Sequence, residues 1–121
     1  MRAEELMIEE EPFQKPVPGI ILRCSGQLLG PPDDGKLIAR INQLCEDRTN
    51  TILIMRDIWD FDAQAVGTIV IIFTKMHNAG VNLFFCELNS AARRTFDESN
   101  MIKHCEVFST IEAALEALAQ V

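Results

Sequence analysis

The sequence has no pair of cysteines close enough to form a metal cluster or a redox motif. Cys24, Cys45, Cys86 and Cys105 are scattered, with no C-x-x-C among them, and both kinds of site depend on close spacing. Cys24 and Cys86 fall inside apolar strand-like runs, where a reduced thiol behaves as a small core residue. A reducing compartment is the expected setting. Nor is any apolar run long enough to cross a bilayer. The longest, Ala65 to Phe73, is interrupted by Gly67 and Thr68 and falls well short of the ~20 residues required. The amino terminus, MRAEELMIEE, is acidic rather than basic-then-apolar, unlike a secretory signal. Together these absences predict a cytoplasmic protein without membrane insertion. Positive charge is also scarce: 11 Lys and Arg stand against 18 Asp and Glu, a net charge of −7. Such a surface repels polyanions, which argues against nucleic acid and anionic lipid as partners.

What is present is globular. The 121 residues are 48% hydrophobic and 24% charged, sufficient for one domain with a real core. Internal repeats and low-complexity segments are lacking. Residues 1–18 form an acidic, proline-rich segment (EEEPFQKPVPG) with room for an edge strand around Leu6–Glu9, and 19–121 read as a single domain. GIILRCSGQLL reads as a strand, and GPPDDG at 30–35 ends it. Leu37, Ile41, Leu44 and Cys45 recur at helical spacing. TILIM and VNLFFCEL are buried strands. Between them, 63–79 has the length of a helix and ends at Asn78-Ala79-Gly80, a carboxyl-terminal signal. Asn89 or Ser90 caps a short helix that stops near Asn100. Cys105–Phe108 is a small strand, and Ser109 with Glu112 resembles a capping box for the last helix. The order β-β-α-β-α-β-α-β-α predicts a small α/β domain: a mixed, mostly parallel sheet of about four to five strands covered by about four helices.

The stretch RDIWDFDAQ puts Asp57, Asp60 and Asp62 around a lone Trp59, at the carboxyl end of a strand and just before a helix. In open α/β sheets ligands gather at such ends. The acids could hold Mg²⁺ or Ca²⁺, although their spacing is not that of a calcium loop. Equally, acids belong beside a helix amino terminus, which favours each by about 0.3–1 kcal/mol, and Asp62 is placed to act as N-cap. Asp60-Phe61-Asp62 after a strand has the D-x-D form of one phosphatase class, but the cationic and carboxylate partners of that chemistry follow in no recognisable order. No enzyme activity and no cofactor are expected. A ligand- or metal-binding sensor, or a minor phosphatase, using Asp57, Asp60 and Asp62 is the alternative reading.

A helical wheel of 63–76 places Ala63, Val66, Ile69, Val70, Ile72, Phe73 and Met76 on a broad core arc. Gln64, Thr68, Ile71 and Lys75 fall on a separate stripe, where Ile71 is an apolar residue on a polar face. Beside Trp59 this suggests an interaction surface.

Three segments carry a family resemblance. IILRCSGQLL resembles the second strand of a STAS domain, the module shared by sulfate-transporter tails and anti-sigma-factor antagonists. TILIMRDIWDFDAQAVGTI resembles its central strand followed by Asp-Ser-Ser-Gly-Leu. The stretch from HNAGVNLFF through the paired arginines to the last helix resembles its ending. In the antagonist branch, the resemblance implies, a partner kinase that is also the anti-sigma factor phosphorylates the second serine and thereby disrupts docking. Here Asp62 matches the family Asp, Ala63 the first Ser, Gln64 the phosphorylated Ser and Ala65 the Gly. Gln64 cannot take a phosphate, so the usual switch is absent; Thr68, one turn away on the same stripe, is either a displaced phosphosite or, as the simpler description, a buried or half-buried helical threonine. The implied function is a non-catalytic interaction module. It docks a regulatory partner through a 57–75 loop-helix surface comprising Trp59, Asp62, Gln64, Thr68, Ile71 and Lys75. Implied partners are an anti-sigma factor or serine-kinase-like protein, or another regulatory or transporter assembly; a homodimer is left open.

Overall fold

A computed structural model describes residues 6–28, 33–61 and 63–121. Its elements run β1 (Met7–Phe13), β2 (Gly19–Leu28), α1 (Asp33–Glu46), β3 (Asn50–Phe61), α2 (Ala63–Asn78), β4 (Leu83–Cys86), α3 (Ser90–Glu98), a 3₁₀ turn (Met101–Lys103), β5 (Glu106–Phe108) and α4 (Ile111–Ala119). The strands form one sheet in the order β1-β2-β3-β4-β5. β1 pairs antiparallel with β2, and the other three pairings are parallel. This is the mixed, mostly parallel α/β sheet that the alternating pattern predicts.

Period-two alternation sorts the strands' side chains between two layers. Leu22 and Cys24 of β2, Leu53 and Met55 of β3, and Leu83 and Phe85 of β4 enter one core. There they meet Leu37 and Ile41 of α1, Ile69 and Ile72 of α2, and Phe96 of α3. The intervening Ile21, Ile52, Ile54, Phe84 and Cys86 face the other way, onto Ala114 and Leu118 of α4. Among the described residues, α1, α2 and α3 therefore cover one face, and the short α4 covers part of the other.

The first strand continues through Pro12 to Phe13, beyond the expected Leu6–Glu9. It is an edge strand, where a missing N–H costs least. Arg40 of α1 donates to both Glu10 carboxylate oxygens at 2.6 and 2.8 Å, tying β1 to the helix layer. At the end of α2, Gly80 adopts a left-handed φ of 71°. The N–H groups of Gly80 and Val81 return to the carbonyls of His77 and Met76, each at 3.0 Å, as in a Schellman ending. The last helix is capped by Thr110, not Ser109: its hydroxyl accepts the Ala113 N–H at 3.1 Å.

Candidate functional site

The segment 57–61 is strand, not the first part of a loop. β3 extends to Phe61 and stays paired with β2. It does so with two irregularities. Ile54 lies beside Arg23 but Asp57 beside Ser25, and Ile58 lies beside Gly26 but Asp60 beside Gln27, so β3 carries an extra residue at each step. Gly26, at φ 101°, supplies backbone that a side chain would disfavour. Because of the first bulge, Met55 and Ile58, three apart, enter the same core. An unbroken strand would place them on opposite faces. Arg56 and Asp57 both become exposed, and Trp59 turns away from Ile58 with 60% of its surface accessible. The apolar run in the sequence ends before the strand does, which is why 57–61 reads as loop.

β4 stops at Cys86, opposite Ile54, so the last carbonyls on that edge of β3 lack a ladder partner from β4. Asn89 takes over. Its Nδ2 donates to the carbonyls of Arg56 at 3.2 Å and Ile58, with that of Met55 at 3.5 Å. Its Oδ1 accepts the Ala92 N–H at 2.9 Å and caps α3. One side chain thus fixes both the bulged strand end and the start of a helix. Glu87, in the left-handed region at φ 56°, turns the chain out of β4 just before Asn89. The Arg56 guanidinium lies 3.5 Å from the carboxylates of Asp57 and Glu87. Asn89 is visible in the sequence only as a helix cap; its second role depends on a bulge that sequence does not display.

α2 divides into faces along lines that differ from the wheel. Gln64, Gly67, Val70, Ile71, Thr74 and Lys75 are exposed, Ile71 at 44% and Val70 at 47%. Val70 was expected in the core. Thr68 was expected on the stripe and is 3% exposed, its hydroxyl donating to the Gln64 carbonyl at 3.3 Å. The reason is α1. Thr68, Ile72 and Met76 form an i, i+4, i+8 row, and Met76 Sδ lies 3.4 Å from Cys45 Sγ of α1. That flank faces the neighbouring helix, while Val70 on the other side is open to solvent. Thr68 therefore leaves the candidate surface, and Gly67 and Val70 join it. Asp62 lies outside the described residues, as do the side chains of Asp60 and Ala63.

Among the described residues no group of three or more His, Cys, Asp or Glu side chains is placed to hold a metal ion. Asp57 is exposed and engaged by Arg56. No described helix is long and apolar enough to cross a membrane.

The sequence profile of the STAS domain matches residues 13–114, and the chain belongs to that family. The fold recurs in solved structures of low sequence identity. An anti-sigma factor antagonist from Mycobacterium paratuberculosis superposes with a TM-score of 0.79 at 13% identity, covering 96% of each chain. The anti-sigma factor antagonist SpoIIAA in its unphosphorylated form gives 0.75 at 14% identity, covering 95% of this chain and 98% of that one. The phosphorylated form of the Bacillus cell fate determinant SpoIIAA gives 0.69 at 14%, covering 93% and 99%. No curated protein sequence matches the chain significantly.

Proposed function

We propose that this chain is a non-catalytic interaction module, with residues 19–121 acting as one STAS-like unit in the cytoplasm. It docks a regulatory protein of the anti-sigma-factor or serine-kinase type through the exposed face of α2. The observation that carries the reading is the patch formed by Gln64, Gly67, Val70 and Ile71. Two branched apolar side chains stand exposed on one face of a helix, flanking a glycine whose missing Cβ would meet nothing within 4 Å. A helix-interior glycine costs about 1 kcal/mol relative to alanine. With no neighbour to require it, Gly67 makes sense as a flat spot for a partner's surface.

Gln64, the position matched to the family's phosphorylated serine, is exposed and has no hydroxyl. Docking here is therefore constitutive, without the charge-based release that a phosphoserine would provide. Reading the acids as an ion or ligand sensor finds no comparable support, since Asp57 is paired with Arg56.

The test is affinity capture from native lysate with the wild type and Ile71→Asp, read by mass spectrometry. An anti-sigma or kinase-type protein retained by the wild type and lost in the variant supports the reading. The same partners with both proteins, or none with either, refutes it. A membrane transporter in the wild-type sample moves the module to a transporter assembly.

A further inference from the structure

The chain has two histidines, His77 and His104, and the fold brings both to one cleft. The cleft, of about 320 Å³, lies between the last turn of α2, the start of β4, the start of β5 and the end of α4. Because β3, β4 and β5 run parallel, this is the amino-terminal end of the strands, opposite the bulged end of β3.

The lining is one-sided in its chemistry. His77 stacks on Phe73 with ring centroids 5.8 Å apart. Among the described residues, neither imidazole has a hydrogen-bond partner, and a neutral imidazole offers an acceptor nitrogen. Asn82 donates its amide to Asn50 Oδ1 at 3.2 Å, which leaves its own carbonyl oxygen as an acceptor. Glu106 adds an exposed carboxylate. Among the described residues that line it there is no lysine or arginine. The carboxyl ends of α2 and α4 both terminate at the cleft, and each carries partial negative charge. Phe73 and Phe84 supply apolar walls, and aromatic faces attract cations. Acceptors, a carboxylate, two negative helix ends and aromatic faces all favour a donor-rich positive guest.

We propose that this cleft is a binding site for a small organic cation, a primary ammonium carrying a compact aromatic or alkyl group. The volume is at the lower end of the ~300–1,000 Å³ typical of ligand pockets, which suits a small amine. Nothing in this assignment depends on the docking face of α2.

The experiment is a titration of the full chain, followed by amide NMR, with benzylamine and, in parallel, benzoate and benzyl alcohol. Benzylamine at millimolar concentration should give saturable shifts centred on His77, Asn82 and Glu106, while benzoate gives none and benzyl alcohol binds more weakly. Glu106→Gln, at an exposed position, should weaken benzylamine binding about three- to fivefold with an unchanged thermal midpoint. Absence of saturation overturns the proposal. So do equal responses to benzylamine and benzoate, shifts centred on another surface, or an unchanged affinity in Glu106→Gln.

Discussion

The side-chain amide of Asn89 donates to the backbone carbonyl of Ile58, joining the start of α3 to a bulged strand end that β4 no longer reaches. The contact is specific to an amide, because the oxygen of the same group must accept from Ala92. Asn89→Ala should therefore lose a helix cap and a strand clamp together, costing about 2–3 kcal/mol in chemical denaturation. Asn89→Asp separates the two roles: it keeps the capping oxygen but turns a second oxygen towards carbonyls. It should be destabilised and show faster amide exchange at Ile58–Trp59, while α3 stays protected. Wild-type stability in Asn89→Asp would mean that the clamp carries no weight.

Gly67 sits in the middle of α2 with open space where a side chain would point. Gly67→Ala should raise stability by about 0.5–1 kcal/mol through helix propensity alone. The same methyl would stand between Gln64 and Ile71 on the exposed face, so binding of the captured partner should weaken. A variant that is both more stable and fully competent in binding would detach Gly67 from the docking surface.

Most of the architecture was legible because strand runs and helix periods are local signals. Leu37, Ile41 and Leu44 mark α1 from spacing alone, and Asn78-Ala79-Gly80 marks the end of α2. The site was less legible because its geometry depends on neighbours. A wheel describes α2 as a lone cylinder, yet Thr68 lies buried on the flank that meets α1, and Val70 on the other side is exposed. The bulges of β3 arise from pairing with β2 near Gly26, far away in sequence. Of the three acids around Trp59, Asp57 lies beside Arg56, an arginine it shares with Glu87 from the turn after β4.

Opposite sides of α2 should respond oppositely to charge. Ile71→Asp and Val70→Asp place a carboxylate in water and should change stability by about 0.5 kcal/mol or less. Ile69→Asp, at a fully buried position, should prevent cooperative folding, because a lone buried carboxylate has no compensating partner. Circular dichroism melts of the three variants make the comparison. If Ile71→Asp unfolds as well, the face has been misassigned.

Thr68 has a hydroxyl, but it is spent inside the helix on the Gln64 carbonyl. Thr68→Val keeps the shape and removes the hydroxyl along with that weak bond. Its stability should stay within about 1 kcal/mol of wild type, with partner binding unchanged. Thr68→Glu should instead destabilise strongly, since it forces a charge between α2 and α1. Incubation of the folded chain with a serine/threonine kinase should leave Thr68 unmodified. Phosphate at that residue in native protein would show that this flank of α2 opens.

Stability should decline in alkaline solution, and the cysteines set the range. Burial raises the thiols of Cys24 and Cys86 from an ordinary value of 9.0 to about 12, helped at Cys86 by Glu87 and Glu112, and raises Cys105 to about 11. The folded state thus holds protons that the unfolded chain releases above about pH 9. Between there and the folded-state values the unfolded state binds fewer protons, so unfolding becomes easier as pH rises. Below about pH 9 both states keep their thiols protonated and the contribution is fully present. Thermal unfolding under reducing conditions should therefore show a midpoint insensitive to these groups at neutral pH and falling above about pH 9. Cys24→Ala tests the cause through the slope rather than the absolute value. The smaller side chain lowers stability at every pH, but with one fewer thiol to ionise on unfolding its decline should be shallower than that of the wild type. Parallel curves would assign the alkaline loss to other groups.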